Sequence, residues 1–295
     1  MATAAHSNPA LRGIALITVA VAFFALIDTT AKYLSQSYPV PGIVWMRYAG
    51  NLLLLLVILA ATGGLRHVRT ARPGIQVLRG LMLGTATMLF FLSISVMPLA
   101  EAAGIGFVMP LFIVLLAVPM LKEQLDMPRL AAVLVGLAGA LLIVRPGSAL
   151  FTPYALLPVA MAVVNAFYQI LTRKIAGIEP PMTSLFYGAL VGAVMFTPAV
   201  PFAFVMPASA FDWALFALLG VFATAGHLAL IRAYEFAPIG VLAPFHYSVL
   251  VWMMLLGYLV FGDFPDRWSL CGIAIIVISG LYIANRQRYV VHKQD

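Results

Sequence analysis

Apolar residues run along this chain in ten continuous stretches, separated by short connections rich in proline and charge. About 20 apolar residues are needed for a helix to cross a hydrocarbon core ~30 Å thick. The apolar residues do not alternate with polar ones, as they would in a membrane-spanning β-strand. We therefore predict transmembrane helices at Gly13–Tyr33, Gly42–Thr62, Val77–Met97, Ala100–Leu121, Leu130–Val144, Tyr154–Thr172, Thr183–Val205, Trp213–Tyr234, Ile239–Phe261 and Trp268–Ala284.

The composition agrees with a membrane protein. Of the 295 residues, 63% are hydrophobic and only 9% are charged, whereas a soluble domain carries about 25% charged residues. The first apolar stretch continues through Asp28, Thr29 and Thr30 without a small-residue cleavage site, so we do not expect a cleaved signal peptide. The single cysteine, Cys271, lies inside an apolar stretch, which excludes a disulfide framework.

Lysine and arginine are unevenly distributed between the two sides of the predicted helices. Thirteen of the 17 lie on the N-terminal side, whereas Lys32, Arg145 and Arg267 lie on the opposite side and Arg47 lies within a helix. The positive-inside rule then predicts a multi-pass membrane protein with both termini in the cytoplasm. Because these charges flank apolar stretches, the net charge of +7 does not indicate a nucleic-acid partner.

A shift of 140 residues superimposes helix breakers and boundary acids of the two halves of the chain. The coinciding pairs are Pro41 with Pro181, Gly80 with Gly220, Pro98 with Pro238 and Glu123 with Asp263. Five helices in each half is an odd number, so the second half must insert upside down. We therefore predict an all-α integral membrane fold of ten transmembrane helices in two inverted repeats, residues 1–147 and 148–295. Inverted repeats are typical of secondary transporters, which bind their solute near the bilayer midplane.

Short motifs also recur around the predicted fourth and ninth helices. They are Met97-Pro98-Leu99-Ala100-Glu101-Ala102, Pro110-Leu111-Phe112 and Lys122-Glu123 in the first half, and Arg232-Ala233-Tyr234, Ala243-Pro244-Phe245 and Phe261-Gly262-Asp263 in the second. With these motifs the chain resembles the EamA/drug-metabolite transporter superfamily over nearly its whole length, except that Asp263 stands where that family usually has Glu. The resemblance implies a transporter like the bacterial exporters of aromatic amino acids and other metabolites.

Ionisable residues inside predicted helices are candidates for substrate binding or coupling, because a charge at the bilayer centre costs ~3 kcal/mol on insertion scales. Asp28 and Lys32 lie one turn apart in the first helix, and Arg47 lies near the outer end of the second. The three side chains are expected to meet, and His227 is a further candidate for carrying charge. The alternative is a structural ion cluster that fastens the first two helices together.

Polar and aromatic positions in the helices supply the other candidates. The 140-residue shift places Asp28 on Tyr168, Phe107 on Tyr247 and Thr87 on His227, and such pairs are expected to face a common axis. A polar stripe on the sixth helix and a histidine beside Pro244 complete the set. The predicted substrate-binding residues are Asp28, Thr87, Phe107, Asn165, Tyr168, Gln169, His227, His246 and Tyr247. Interhelical hydrogen bonding or plain packing is the structural alternative for each of them.

Pro110 and Pro244 interrupt the fourth and ninth helices at corresponding places and are the predicted hinge or kink positions. Broken helices at corresponding places of two repeats indicate the binding site and moving parts of a transporter.

The leading hypothesis is a secondary transporter that exports aromatic amino acids by alternating access. Another metabolite, such as a sugar phosphate or nucleotide sugar, is the rival substrate, but it calls for several buried cations and only Arg47 lies well inside a predicted helix. An intramembrane enzyme is the rival outside transport, and the sequence carries none of its motifs. A channel is the third possibility, and no ring of repeated lining groups is visible. We expect no cofactor and no metal; the expected partners are a small-molecule substrate and the lipid bilayer, with the chain acting as a monomer.

Overall fold

The computed structural model describes residues 9–64, 68–121, 127–145, 147, 149–175, 178–236, 242 and 245–291. The fold is all-helical, with 85% helix and no β-strand in these ranges. The helices are α1 (Pro9–Leu34), α2 (Val40–Ala61), α3 (Pro73–Val96), α4 (Leu99–Gly106), α5 (Met109–Leu121), α6 (Met127–Val144), α7 (Leu156–Ile175), α8 (Pro181–Phe196), α9 (Val200–Ala203), α10 (Ala210–Phe236), α11 (Ser248–Phe261) and α12 (Arg267–Val291).

Prolines and one glycine set several helix ends. Pro73 and Pro181 are the first residues of α3 and α8, where the missing N–H costs nothing and the fixed φ suits a helix. Gly262 ends α11 in the left-handed region at φ 74°. There the Asp263 N–H donates to the Gly257 carbonyl at 3.1 Å and closes the last turn.

The length and composition of the helices make this a multi-pass membrane protein. Seven helical stretches in the described ranges are long and apolar enough to span a bilayer, and Leu130–Val144, Ser248–Phe261 and Arg267–Tyr282 are shorter apolar helices. These ten stretches overlap the ten predicted ones, and residues 239–241, 243 and 244 of the predicted ninth helix lie outside the described residues. Because three are short, a count of ten spanning helices remains a prediction, as does the cytoplasmic location of the termini.

Two predicted helices are not continuous. The predicted fourth helix breaks at Phe107 and Val108 into α4 and α5, and the predicted seventh helix ends in a 3-10 turn, Thr197–Ala199, followed by α9. Pro110 is the second residue of α5, directly after the first break. Pro244 lies outside the described residues.

Helices of the first half pack mainly against helices of the second half. The main pairs are α1 with α10, α3 with α7, α2 with α10, α3 with α8, α1 with α11, α5 with α7, α2 with α8 and α6 with α12. Exchanging the halves by the 140-residue shift turns α1–α10 into α7–α3, and it maps α2–α8 and α6–α12 onto themselves. This is the pattern that two repeats related by a twofold axis produce, whereas their inverted orientation and the repeat boundaries at 147 and 148 stay predictions.

The helices α6 and α12 pack closely against each other at Gly139 and Gly272. A Cβ added to Gly272 would lie 2.6 Å from the carbonyl oxygen of Gly139, a backbone atom that cannot rotate away. We expect Gly272→Ala to separate the two helices and to destabilise the protein by about 1–3 kcal/mol. Thermal unfolding of the purified protein in detergent measures this as a fall of several degrees in Tm.

Gly257→Ala is the matched control within α11. Its added Cβ would meet nothing nearer than Asp263 O at 3.5 Å, and alanine is the better helix former. Its Tm should stay level or rise. An equal fall in both variants would contradict the packing argument.

Candidate functional site

A cavity of about 740 Å³ lies between the two halves of the chain. Its walls come from α2 and α3 of the first half and from α7, α8 and α10 of the second. The polar groups among its lining residues are those of Arg47, Asn51, Arg79, Tyr168, Glu179 and His227, together with Tyr48, Thr172, Ser184 and Tyr234. A largely apolar space with a few polar groups, lying between helices of both halves, is where a transported solute is expected to bind.

The cavity reaches the end of the molecule at which α1 begins. Its lining includes the α7–α8 connection at Ile178 and Glu179, and Tyr234 in the last turns of α10. Ile17 of α1 is buried with Ala233 of α10, which places the start of α1 at the same end. We call this the mouth end, and the opposite end, where α1 finishes, the far end. The predicted orientation makes the mouth end cytoplasmic.

Arg47 is the unpaired cation of this cavity. Arg47 is only 8% exposed, and its Nε and Nη1 have no hydrogen-bond partner among the described residues. Its guanidinium carbon lies 4.7 Å from the ring centre of Tyr48 and 5.9 Å from that of Phe91. The two rings hold the charge by cation–π attraction but do not supply acceptors for its N–H groups.

Arg79 is the second buried cation in the cavity wall, and each of its three nitrogens donates one hydrogen bond to a protein group. Its Nη1 donates to the hydroxyl of Tyr168 at 3.1 Å and its Nε to Oε1 of Gln76 at 3.3 Å. Its Nη2 donates to the carbonyl oxygen of Ser184. Because the Tyr168 oxygen accepts from Arg79, its own O–H is free to donate to a ligand.

Glu179 ties the two halves together at the mouth. Its Oε1 accepts from Thr70 Oγ1 at 2.7 Å, from Ala71 N at 2.8 Å and from Arg72 N at 3.1 Å. These donors directly precede α3, so the carboxylate of the second half binds the segment that leads into a helix of the first half, near the positive end of its dipole.

The far end is held by side chains that again join the halves. Lys32 donates to Asp263 Oδ2 at 3.2 Å and to the Met97 carbonyl at 2.9 Å. The Tyr38 hydroxyl lies 3.0 Å from Asp212 Oδ2. In the connection after α11, the hydrogen bond from Arg145 lowers the pKa of Asp266 to about 2, so this carboxylate stays charged at physiological pH.

Three predicted residues line the cavity: Tyr168, His227 and Arg47. His227 also packs on Phe24 with ring centres 5.1 Å apart. Thr87 is not among the lining residues, and its hydroxyl lies 2.8 Å from the hydroxyl of Tyr48, which is one of them.

The other predicted site residues do not line this cavity. Phe107 and Tyr247 pack on each other with ring centres 5.1 Å apart. Gln169 faces outward, and Asn165 has its Oδ1 buried without a partner among the described residues. Asp28 and His246 are likewise absent from the lining. A role for these residues in binding stays a prediction.

The expected meeting of Asp28, Lys32 and Arg47 is only partly found. Lys32 pairs with Asp263 of the other half, 231 positions away. Arg47 lies within electrostatic reach of Asp28, but the described side chains of these two residues form no ion pair.

Sequence reasoning missed Arg79 and Glu179. Arg79 is the third residue of the predicted helix Val77–Met97 and therefore counts as a charge at its end. In the structure, α3 begins at Pro73, and Arg79 lies inside the helix and is 3% exposed. A proline that opens a helix was the available signal. Nothing local distinguishes Glu179 from an ordinary connecting residue.

The helical membrane fold and the cavity between its halves define a small-molecule membrane transporter. The model of the EamA-like transporter family matches residues 11–145 and again residues 152–285, so the chain belongs to this family. A solved crystal structure of a protein aligns with a TM-score of 0.63 at 19% identity, over 95% of this chain and 99% of that one, which shows a shared fold.

Named relatives cover nearly the whole chain. The S-adenosylmethionine uptake transporter of Rickettsia conorii is 27% identical over 96% of both chains. The riboflavin transporter of Vibrio cholerae is 29% identical over 92% of this chain and 93% of its own. The pseudopaline exporter of Pseudomonas aeruginosa is 26% identical over 94% of this chain and 97% of its own. All three names describe transport of small molecules, which fits a protein that is not an enzyme.

Proposed function

We propose that this protein exports aromatic amino acids across the bacterial inner membrane by alternating access, and that the cavity is the binding site. The observation that carries the proposal is the cavity itself, enclosed by helices of both halves and reaching the predicted cytoplasmic end. An exporter loads its solute from that end. Rocking of the halves, which meet along their main helix contacts, then exposes the same site to the other side.

The lining of the cavity suits a solute with both a ring and polar groups. Aromatic side chains of Tyr48, Tyr168 and Tyr234 contribute to the walls, next to the amide of Asn51 and the imidazole of His227. Its volume of about 740 Å³ falls within the range of ~300–1,000 Å³ typical of small-molecule sites.

Two named relatives support a solute of this type. S-adenosylmethionine, the solute named for the Rickettsia conorii protein, carries an amino-acid group and an aromatic base. Riboflavin, named for the Vibrio cholerae protein, carries a flat aromatic ring system. A cavity that accepts a ring together with polar groups is consistent with both.

A sugar phosphate or nucleotide sugar is the second candidate substrate. The second buried arginine, Arg79, favours it, because such ligands call for more than one cation. Each nitrogen of Arg79 already donates to a protein group, so among the lining arginines Arg47 is the one with unbound nitrogens in the described part of the chain, and the amino-acid proposal is preferred.

Counterflow in proteoliposomes tests the proposal. Vesicles loaded with unlabelled phenylalanine should accumulate labelled phenylalanine, and tyrosine and tryptophan should compete. Glucose 6-phosphate and a UDP-sugar should not compete, and protein-free vesicles are the control. Competition by the phosphorylated compounds alone, or no counterflow of any aromatic amino acid, would overturn it. Repeating the assay with a pH gradient shows whether protons are coupled.

A further inference from the structure

The guanidinium of Arg47 lacks the partners that a buried charge requires. The residue is more than nine-tenths buried, and its Nε and Nη1 bind no acceptor among the residues that the structure describes. A charge in a low-dielectric interior without hydrogen bonds is costly, and buried charges are normally paired. Such a group is expected where a ligand supplies the missing acceptors.

Among the described residues, no carboxylate forms an ion pair with Arg47. The acidic residue within reach of Arg47, Asp28, forms no ion pair with it in the described part of the chain. Glu179, the carboxylate of the cavity wall, is bound at the mouth to Thr70, Ala71 and Arg72. The cavity therefore presents a cation whose partner is missing.

The surroundings of Arg47 fix what kind of acceptor fits. The rings of Tyr48 and Phe91 flank the guanidinium and restrict the rotation of its planar fork. Two adjacent N–H donors of a guanidinium match the two oxygens of a carboxylate. Each nitrogen of Arg79 already donates to a neutral protein group, so Arg47, whose Nε and Nη1 have no acceptor among the described residues, is the cavity arginine with nitrogens left for a carboxylate.

We propose that Arg47 binds the carboxylate of the transported solute, so that the cavity accepts aromatic carboxylic acids and zwitterions and rejects amines that lack this group. The inference rests on the proposed transport function and names its chemical class. Under this proposal, Arg47 determines whether a solute with a given ring binds, according to whether that solute carries a carboxylate.

Four compounds with one phenyl ring separate the contribution of the carboxylate from that of the ring. Phenylalanine and 3-phenylpropionate carry a carboxylate; phenylalaninamide and phenylethylamine do not. The first two should raise the Tm of the purified protein and compete in counterflow. The other two should bind at least tenfold more weakly, because each hydrogen bond to a charged group contributes this much.

Variants of Arg47 test the same assignment from the protein side. Arg47→Met should weaken phenylalanine binding by about 10- to 100-fold and remove the preference for a carboxylate, whereas Arg47→Lys should keep part of both. Arg232→Met is the matched control, since Arg232 is an exposed arginine paired with Glu235 outside the cavity lining. It should bind phenylalanine as the wild type does.

The outcomes separate this inference from the proposed function. If phenylethylamine and phenylalanine bind wild-type protein equally well, or if Arg47→Met keeps the carboxylate preference, the assignment of Arg47 is wrong while transport stands. If no aromatic amino acid is transported, the proposed function fails. The Tm measurement then still decides whether carboxylates bind at Arg47, because it does not depend on transport.

Discussion

Replacement of Arg79 by methionine is expected to destabilise the protein strongly and to remove most of its transport activity. Arg79 is 3% exposed and joins three helices through Gln76 on α3, Tyr168 on α7 and Ser184 on α8. Methionine fills similar space but leaves these acceptors unpaired in a buried place, at roughly 1–3 kcal/mol for each. Three unpaired acceptors give an expected total loss of at least about 3 kcal/mol.

The matched control is the same substitution at the other cavity arginine. Arg47 has two unpartnered nitrogens, so Arg47→Met removes an uncompensated charge and should leave the ligand-free Tm level or higher. Thermal unfolding of both variants in one detergent, with size-exclusion profiles, makes the comparison. Equal changes in Tm at positions 47 and 79 would refute the assignment of different roles.

The helices could be predicted from the sequence because the bilayer allows few alternatives. Every backbone group must be bonded within a span, so a long apolar stretch reads directly as a helix. Helix ends were less certain: α3 starts at Pro73, four residues before the predicted Val77. Because of this difference, Arg79 is predicted at a helix end, and Arg47 is the only arginine predicted well inside a helix.

The partners of individual side chains could not be predicted in the same way. Lys32 was expected to meet its sequence neighbours Asp28 and Arg47, but α1 packs against α11, which brings Lys32 to Asp263. Phe107 and Tyr247, by contrast, were linked by the 140-residue shift, and their rings are in contact. Repeat symmetry therefore carries long-range information that local spacing lacks.

Repeat symmetry does not determine which side chains line the cavity. Tyr168 lines the cavity and its repeat counterpart Asp28 does not, because a pseudo-twofold axis relates backbones while the side chains of the two halves have diverged. Glu179 acts at the mouth only through donors 107 to 109 positions away. No pattern within its own segment reveals such a contact.

Charge reversal at Lys32 is expected to lower transport at least tenfold. Alternating access requires the far end to be shut while the cavity is open at the mouth, and the Lys32 ammonium links α1 to Asp263 of the second half and to the Met97 carbonyl. Lys32→Glu would place a carboxylate against Asp263 and near Glu101, whose Oε2 is buried without a partner. Like charges at this contact disfavour the shut state, and a shift of about 1.4 kcal/mol changes its population tenfold.

A second reversal at Asp263 should restore part of the activity, because Lys32→Glu with Asp263→Lys re-forms an opposite-charge pair across the same two segments. Counterflow in proteoliposomes measures Lys32→Glu and the double variant against the wild type, with Tm confirming that each is folded. Arg232→Glu is the control at the mouth end, where an exposed pair with Glu235 contributes little. Wild-type counterflow in Lys32→Glu, or a double variant no better than the single one, would show that this pair does not hold the far end shut.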